Sequence, residues 1–284
     1  MGSWAGRRLG GWAMIAAVAL TVRSPNRLTA QSVASNRATA YLFPTNAEDV
    51  RAIWINPAGL GVRRDASIYG ELGVGDPGAA GRINQLNVGF NSSGLGFAYQ
   101  RDILPNGVRG STYRLGLGGS AAGLAAGFDV VRYGGTGANA TSWDLGTRYM
   151  ARPGLVFGFV ATNIGQPIVR GLRQRLTFLP GFTWQPPPLS ALGVSAAAHI
   201  TPDSVVAYNF GLTWRTGGTE RRWPIEILAR LDTDGGFRRS AFAFGISVGG
   251  QDRFGAVVTT PGDVSRIDDA SIYGLTAREP SRDH

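Results

Sequence analysis

The stretch YNFGLTWR at residues 208–215 alternates strictly between large apolar side chains and small or polar ones. In an extended strand, successive side chains point to opposite faces of the sheet. One face of this stretch therefore carries aromatic rings and leucine, while the other carries asparagine, glycine, threonine and arginine. The pattern predicts a β-strand with one apolar face and one polar face.

The same alternation recurs from residue 65 onward, and clusters of glycine, proline, asparagine and aspartate separate one run from the next. Such clusters are typical of turns. A tilted strand needs about 9–11 residues to cross a membrane, and most of the runs have that length. Fourteen strands are predicted, at residues 66–74, 83–91, 94–103, 112–120, 122–132, 141–150, 154–163, 173–184, 189–200, 205–216, 222–232, 237–249, 253–260 and 270–277.

Period-two patterning also fits a soluble β-sandwich or propeller. A membrane barrel is favoured because charge gathers at strand ends, and because aromatic residues such as Trp143 and Tyr149 recur near the ends of apolar faces. Each unpaired backbone group costs several kcal/mol in hydrocarbon, so a spanning sheet must close on itself. The predicted fold is all-β: a closed antiparallel transmembrane β-barrel of about fourteen strands over residues 65–277, preceded by a short N-terminal helical plug segment.

The composition supports this class and excludes others. The 284 residues include 28 basic and 19 acidic side chains and no cysteine, so a disulfide scaffold and a cysteine-ligated metal site are excluded. Charged residues make up 17% of the chain, below the ~25% usual for soluble domains. Without basic runs or a basic helix, no nucleic-acid partner is expected. A polytopic helical membrane protein is excluded, since the one long apolar stretch lies at the start of the chain.

Residues 1–30 are predicted to be a signal peptide. Arg7 and Arg8 supply a positive beginning, residues 12–22 form an apolar core, and Ala30 offers a cleavage point. The core is too short to span about 30 Å of hydrocarbon as a helix, although a retained membrane anchor is the alternative. Export is consistent with the expected location, the bacterial outer membrane.

The hexapeptide DASIYG occurs at residues 65–70 and again at residues 269–274. The two copies fall in the first and last predicted strands, which must pair if the barrel closes. They could therefore meet at the seam of the barrel. Chance repetition of a common strand pattern is the alternative explanation.

Residues 31–64 precede the first strand and form the predicted plug segment. Thr45 or Asn46 is the expected N-cap of a short helix over residues 47–53, with acidic residues in its first turn. An asparagine followed by proline would end this helix. The turn from plug to barrel is assigned to Asn56, Pro57, Ala58 and Gly59.

The segments AEDV at residues 47–50 and INPAGLG at residues 55–61 resemble the NPAGL segment of FadL-like and PorV-like outer-membrane proteins. The resemblance implies a fourteen-stranded barrel whose N-terminal segment enters or plugs the lumen. FadL-like members pass hydrophobic molecules, whereas PorV-like members serve protein secretion and surface attachment. The leading expectation is passive transport or binding of hydrophobic small molecules. A non-transporting scaffold for secretion or envelope assembly is the alternative, and a secreted soluble β-protein is a third.

The same resemblance implies partners of several kinds: outer-membrane lipid, a hydrophobic small-molecule ligand, the barrel-assembly machinery, and secreted proteins if the scaffold alternative holds. The chain departs from the family in two respects. It is short for a fatty-acid transporter, which leaves little room for long extracellular loops. It also ends in a polar tail, residues 278–284, rather than in the terminal aromatic residue of barrel-assembly signals.

Strand parity places polar and charged side chains on the lumen face, because an arginine facing lipid at the midplane costs about 2–4 kcal/mol. Opposed arginines and carboxylates there are expected to hold the plug or to line a narrow polar route. Inward-facing glycines and alanines leave space for a plug or an apolar ligand. The lumen candidates are Arg114, Asp144, Arg148, Arg175, Asn209, Arg215, Glu226 and Arg230.

Pro180 interrupts the predicted strand between Phe178 and Phe182. Proline cannot donate to the hydrogen-bond ladder, so it should kink the wall or open it locally. In FadL-like proteins a strand kink provides a lateral exit for hydrophobic cargo, and Pro180 is the candidate for an analogous wall kink. A simple bend near the strand start is the alternative.

No catalytic arrangement is recognisable. His199 shares a predicted strand face with Ser195, but no carboxylate is placed to complete a hydrolytic triad. Residues 73–78 match the form of a glycine-rich phosphate motif, yet no helix follows, and Pro77 is typical of a hairpin turn. The sequence therefore predicts neither an enzyme nor a cofactor or metal site.

Overall fold

Fourteen strands of the computed structural model close into one antiparallel barrel, which confirms the predicted fold class. The structure describes residues 35–63, 65–78, 81–104, 108–186, 189, 191–216 and 223–278. The first half of the barrel comprises β1 (Ala66–Gly75), β2 (Arg82–Ser92), β3 (Leu95–Ile103), β4 (Arg109–Ala121), β5 (Leu124–Gly135), β6 (Ala140–Arg152) and β7 (Leu155–Ile164). A separate short hairpin follows, made of β8 (Ile168–Val169) and β9 (Leu172–Arg173). The second half comprises β10 (Thr177–Trp184), β11 (Leu192–Ile200), β12 (Val205–Arg215), β13 (Ile225–Asp234), β14 (Arg239–Gly249), β15 (Asp252–Pro261) and β16 (Asp269–Arg278).

Neighbouring barrel strands pair in chain order, β7 pairs with β10, and β1 pairs with β16 to close the ring. The two DASIYG hexapeptides meet at this closure, where Gly70 lies opposite Gly274. Beside them, the rings of Tyr69 and Tyr273 lie 5.9 Å apart, and both side chains are buried. Every barrel strand thus has a partner on each side, which is what a sheet in hydrocarbon requires.

The outer face of the barrel is apolar, and the lumen face is polar or small. In β12, Phe210, Leu212 and Trp214 are 40–48% exposed, whereas Asn209 on the opposite face is 3% exposed. Trp143 and Tyr149 of β6 also point outward, near opposite ends of one strand face. Exposed rings and aliphatic chains on a whole sheet face are expected where lipid replaces water.

The two ends of the barrel differ in their connections. At one end, which we call the short-turn end, residues 93–94, 122–123, 153–154 and 250–251 join strands in two-residue turns, and the chain enters β1 and leaves β16. Two longer connections, residues 185–191 and 216–224, also lie at this end. At the opposite, long-loop end, residues 165–176 and 262–268 form the longest connections. No helix within the described ranges has the length and apolar character needed to cross a membrane.

Three predicted strands begin at least three residues later than expected, and the one predicted at 222–232 begins at Ile225. The strand predicted at 173–184 begins at Thr177, because the chain first folds back through the β8–β9 hairpin. That hairpin turns at Arg170 and Gly171, whose φ angles of 50° and 78° lie in the left-handed region. The strand predicted at 189–200 begins at Leu192. Alternation in the sequence continues through both turns, so periodicity alone does not mark them.

The predicted helix over residues 47–53 is wrong in extent. Only Ala52–Ile55 forms an α-helix, which we call α1, and its N-cap is Arg51 rather than Thr45 or Asn46. The Asn46 side chain instead accepts a hydrogen bond from the Phe43 amide and closes a turn. The predicted signal peptide and residues 279–284 of the predicted tail lie outside the described residues.

Candidate functional site in the barrel lumen

Residues 35–63, which we call the plug, run through the lumen from the long-loop end to the short-turn end. At the long-loop end, Arg37 forms an ion pair of 2.6 Å with Asp269 at the start of β16. At the short-turn end, the Ser120 hydroxyl donates to the Gly61 carbonyl at 2.8 Å. The plug contains α1 and two 3₁₀ helices, Arg37–Ala40 and Pro57–Gly61. Its apolar side chains form the largest buried cluster of the described chain, together with rings from β1 and β16.

Asn56 ties three backbone segments together and is fully buried. Its side-chain oxygen accepts a hydrogen bond from the Ala58 amide at 3.1 Å, which caps the second 3₁₀ helix. Its side-chain nitrogen donates to the Pro44 carbonyl at 2.7 Å and to the Thr147 carbonyl of β6 at 3.0 Å. Asn56 therefore joins two turns of the plug to the wall, rather than only ending a helix.

Glycines on the lumen face of the wall let the plug backbone approach the sheet. A Cβ on Gly118 would lie 2.7 Å from the Pro57 carbonyl oxygen and 2.8 Å from the Gly61 nitrogen. A Cβ on Gly146 would overlap the Asn56 side chain. Together these inward glycines of β3–β7 form what we call the glycine wall: Gly96, Gly116, Gly118, Gly127, Gly146 and Gly158. The inward glycines thus accommodate the plug.

Arg114 lies inside the lumen between two carboxylates and the plug. It pairs with Asp129 at 2.6 Å and with Asp144 at 2.7 Å, and it donates to the Ile53 carbonyl of α1 at 3.1 Å. The other oxygen of Asp144 accepts from the Asn163 amide at 2.8 Å. Because one guanidinium compensates two buried carboxylates, its loss would leave both without a cation.

Arg148 and Arg230 hold the plug in the same manner. Arg148 donates to the Thr45 carbonyl at 3.0 Å and forms an ion pair with Glu48. Arg230 donates to the Thr39 carbonyl at 2.7 Å and to the Leu42 carbonyl at 2.9 Å. Three wall arginines, on β4, β6 and β13, therefore bind plug carbonyls from different sides of the lumen.

The remaining lumen candidates differ in how far they are enclosed, from the buried Asn209 to the exposed Arg175. Asn209 donates to Asp232 at 2.6 Å, beside Arg230. Arg215 and Glu226 form an ion pair near the short-turn end, where the Arg215 side chain is 50% exposed. Arg175 lies before β10 rather than within a strand, is 66% exposed, and approaches Asp203 at 3.7 Å. The β8–β9 hairpin delays the start of β10, which removes Arg175 from the lumen face predicted for it.

Pro180 lies opposite Phe159 of β7, within an uninterrupted ladder. On the other side, the ladder with β11 runs from Phe178–Ile200 to Gly181–Ala197 and pairs neither Leu179 nor Pro180. The register on the two sides of this gap is the same. Pro180 therefore interrupts one ladder without adding a bulge.

The plug separates two cavities. The first, of about 530 Å³, lies toward the long-loop end and is lined by Phe43, Trp54, Leu179, His199 and Arg230, among others. The second, of about 800 Å³, lies toward the short-turn end and is lined by side chains of the plug and of β10–β16. Leu42 of the plug contributes to both linings.

Several buried polar residues escaped the sequence-based selection. Asp129 and Glu71 occupy inward strand positions and are fully enclosed, and Glu71 accepts from Tyr69 at 2.6 Å. Parity within β5 and β1 would have identified both. Asp49 and Arg51 of the plug pair at 2.7 Å. Burial tends to raise the pKa of Asp49, but the adjacent Arg51 guanidinium outweighs burial and holds that pKa below its usual value.

Comparisons with known proteins concern the fold alone. The toluene transporter TbuX of Ralstonia pickettii aligns over 84% of this chain and 96% of its own, with a TM-score of 0.51 and 12% identity. The toluene transporter TodX of Pseudomonas putida aligns over 84% and 94%, with a TM-score of 0.48 and 12% identity. A mutant porin of Rh. blastica aligns over 75% of this chain and 99% of its own, with a TM-score of 0.43 and 8% identity. The TbuX likeness shows a shared barrel fold.

Family models and curated proteins give no match to this sequence.

Proposed function

We propose that the protein lies in the bacterial outer membrane and binds or passes hydrophobic small molecules through its plugged barrel. The cavity at the long-loop end carries this proposal. Its volume of about 530 Å³ falls within the 300–1,000 Å³ typical of small-molecule pockets. Leu42, Phe43, Ile55 and Leu179 give it an apolar side. The barrel fold shared with a toluene transporter supports the same reading.

A lateral route is favoured over passage straight through the lumen. The plug separates the two cavities and is held at several carbonyls by buried arginines. Leu179 lines the first cavity, and it stands beside Pro180 where the β10–β11 ladder is interrupted. A hydrophobic molecule in this cavity would therefore leave toward lipid, where an apolar solute is more stable than in water.

Binding is tested with the purified full chain and a fluorescent fatty acid, competed by toluene. Leu179→Asp should weaken binding by about tenfold or more, because it places a charge in the apolar side of the cavity. Ile168→Asp is the matched control, since Ile168 is exposed in the β8–β9 hairpin and does not line the cavity. If both variants and the parent bind alike, the cavity is not the binding site and the proposal fails.

Transfer is tested separately from binding, in vesicles that carry the protein. Pro180→Ala restores a backbone donor, so the ladder can close, and it should slow fatty-acid transfer without weakening binding. Pro261→Ala, at the end of β15, is the control. Equal transfer rates for the parent and the Pro180 variant would exclude the lateral route while leaving the binding proposal intact.

One observation favours a second function, a non-transporting scaffold for secretion or envelope assembly. The plug fills the lumen between the cavities, and nothing about a scaffold requires it to open. A folded protein that binds no lipid or aromatic probe, and that co-purifies with secreted or periplasmic proteins, would support this alternative.

A further inference from the structure

Charge is sorted between the two faces of β3–β6. The acidic residues of these strands are Asp102, Asp129 and Asp144, and all three are buried at lumen-facing positions. Arginines at the long-loop end of the same strands behave differently. Arg101, Arg109 and Arg132 share strand parity with the outward residues Phe97, Tyr113 and Phe128 of their own strands. The outer rim of this wall therefore carries positive charge without negative charge.

None of these three arginines forms an ion pair with a described residue. Arg101 donates to the Ser111 hydroxyl at 2.8 Å. Arg132 donates to the Thr141 hydroxyl at 3.0 Å and also contacts Asn139. Arg109 is exposed. Some exposed arginines elsewhere have carboxylate partners, such as Arg266 with Asp268 and Arg278 with Asp252. Others, such as Arg152, have none among the described residues, so the grouping of Arg101, Arg109 and Arg132 on one wall is what distinguishes them.

The three arginines are close together on the sheet. Arg101 lies opposite Ser111, two residues from Arg109, and Arg132 lies opposite Tyr113. Neighbouring strands are about 4.8 Å apart and alternate residues about 6.6 Å apart, so the backbones of Arg101 and Arg109 lie about 8 Å apart. Arg132 lies two strands from Arg101, at about 12 Å. Long arginine side chains can reach one headgroup over these distances. We call Arg101, Arg109 and Arg132 the rim patch.

The rim patch lies at the level of an aromatic row and just beyond it, above the apolar band: Arg132 is level with Tyr113, and Arg101 and Arg109 lie further toward the long-loop end. The rings of Tyr99 and Tyr113 are in contact at a tilt of 42°, with 5.1 Å between their centroids, and Tyr113 lies opposite Arg132. One step toward the short-turn end, Phe97 lies opposite Leu115, and both are about half exposed. Aromatic rings mark the headgroup level of a membrane, so the patch is at the height of lipid phosphates.

We propose that the rim patch binds the phosphate groups of an anionic glycolipid in the outer leaflet. The proposal rests on the outer-membrane location, with the long-loop end facing outward as in other membrane barrels. Guanidinium groups bind phosphate oxygens in a bidentate manner, and each cation near an anionic surface strengthens attachment. Unpaired arginines on a lipid-facing wall have no other described anion to bind.

The test measures binding of bisphosphorylated lipid A to the purified full chain in neutral detergent, by native mass spectrometry. Arg101→Gln/Arg109→Gln/Arg132→Gln should weaken binding by roughly 30- to 100-fold, since three surface cations are removed. Arg152→Gln/Arg266→Gln/Arg278→Gln is the matched control, because it removes the same charge away from the patch. The control should bind within about twofold of the parent.

A second arm keeps the protein constant and changes the lipid. Lipid A without phosphates should bind to the parent as weakly as the phosphorylated lipid binds to the patch variant. Inorganic phosphate in the millimolar range should not displace the lipid. Equal binding of phosphorylated and dephosphorylated lipid, or displacement by free phosphate, would overturn the proposal, as would equal binding by the patch and control variants.

Heat-modifiable gel mobility would reveal whether the patch variant folds. If it does not fold, the comparison of the two lipids still tests the proposal, because that comparison uses the parent protein. Binding of lipid A is measured independently of fatty-acid binding. Loss of fatty-acid binding with intact lipid A binding would contradict the proposed function alone.

Discussion

The two sides of the lumen hold the plug in different ways. On the glycine wall, the backbone of the plug rests directly against the sheet, as at Gly118 and Gly146. On the opposite side, β10–β16 present larger polar side chains, such as Thr213, Arg215 and Glu226, and the second cavity lies between them and the plug. The size of the inward side chains therefore decides where the plug packs and where space remains.

The largest effect is expected from removing the cation that the glycine wall encloses. Arg114→Met leaves Asp129 and Asp144 buried without a cation, and it should lower the free energy of unfolding by about 3–5 kcal/mol. Urea titration of the refolded barrel, followed by tryptophan fluorescence, measures this change. Arg215→Met is the control from the opposite side of the lumen, beside the second cavity. The half-exposed ion pair of Arg215 should contribute less than about 1 kcal/mol to the free energy of unfolding. Similar losses for both variants would remove the distinction between the two sides.

A smaller effect is expected when the hydrogen bonds of the plug are removed. Asn56→Ala leaves the Pro44 and Thr147 carbonyls and the Ala58 amide without their partner, and it should cost about 2–3 kcal/mol. Protease cleavage within the plug should rise in parallel, measured by mass spectrometry of folded protein. Asn46→Ala removes a single turn hydrogen bond and should cost about 1 kcal/mol. If Asn56→Ala changed neither the free energy of unfolding nor the rate of protease cleavage, the plug would not be fixed at this residue.

Adjacent glycines provide the sharpest comparison within one strand. Gly118→Ala introduces a methyl group against the plug backbone and should cost about 1–3 kcal/mol through overpacking. Gly119 faces outward, and a Cβ at this position has no atom within 4 Å. Gly119→Ala should therefore leave the free energy of unfolding almost unchanged. The measurement is the urea midpoint of each folded variant. If the two alanines behave alike, close approach does not explain the glycine wall.

The fold could be predicted because its signal is local. Alternation of two residues is visible in any stretch of eight, and the fourteen predicted strands correspond to the fourteen of the barrel. The predicted N-terminal helix was wrong because short-range side-chain contacts hold that segment in turns. Asp49 pairs with Arg51, and Asn46 closes a turn, so neither starts the helix expected over residues 47–53.

The site could be predicted only in part, since its contacts join residues distant in sequence. Parity identified Arg114, Arg148 and Arg230 as inward-facing, but it could not show that each binds a plug carbonyl. The role of the inward glycines depends on where the plug backbone passes, which no local pattern specifies. Arg175 shows the converse failure, because a turn at Gly171 moves it out of the predicted strand.

The central claim is that the plug lies fixed across the lumen and separates the two cavities. The Thr45 and Thr183 hydroxyls join plug and wall at 2.5 Å, and the chain contains no cysteine. Thr45→Cys/Thr183→Cys should therefore form a disulfide in the folded barrel under mild oxidation, detected by intact mass, with single-cysteine variants as controls. Nearly complete cross-linking with unchanged heat-modifiable mobility is the predicted result. A folded double variant that stays reduced would contradict the account.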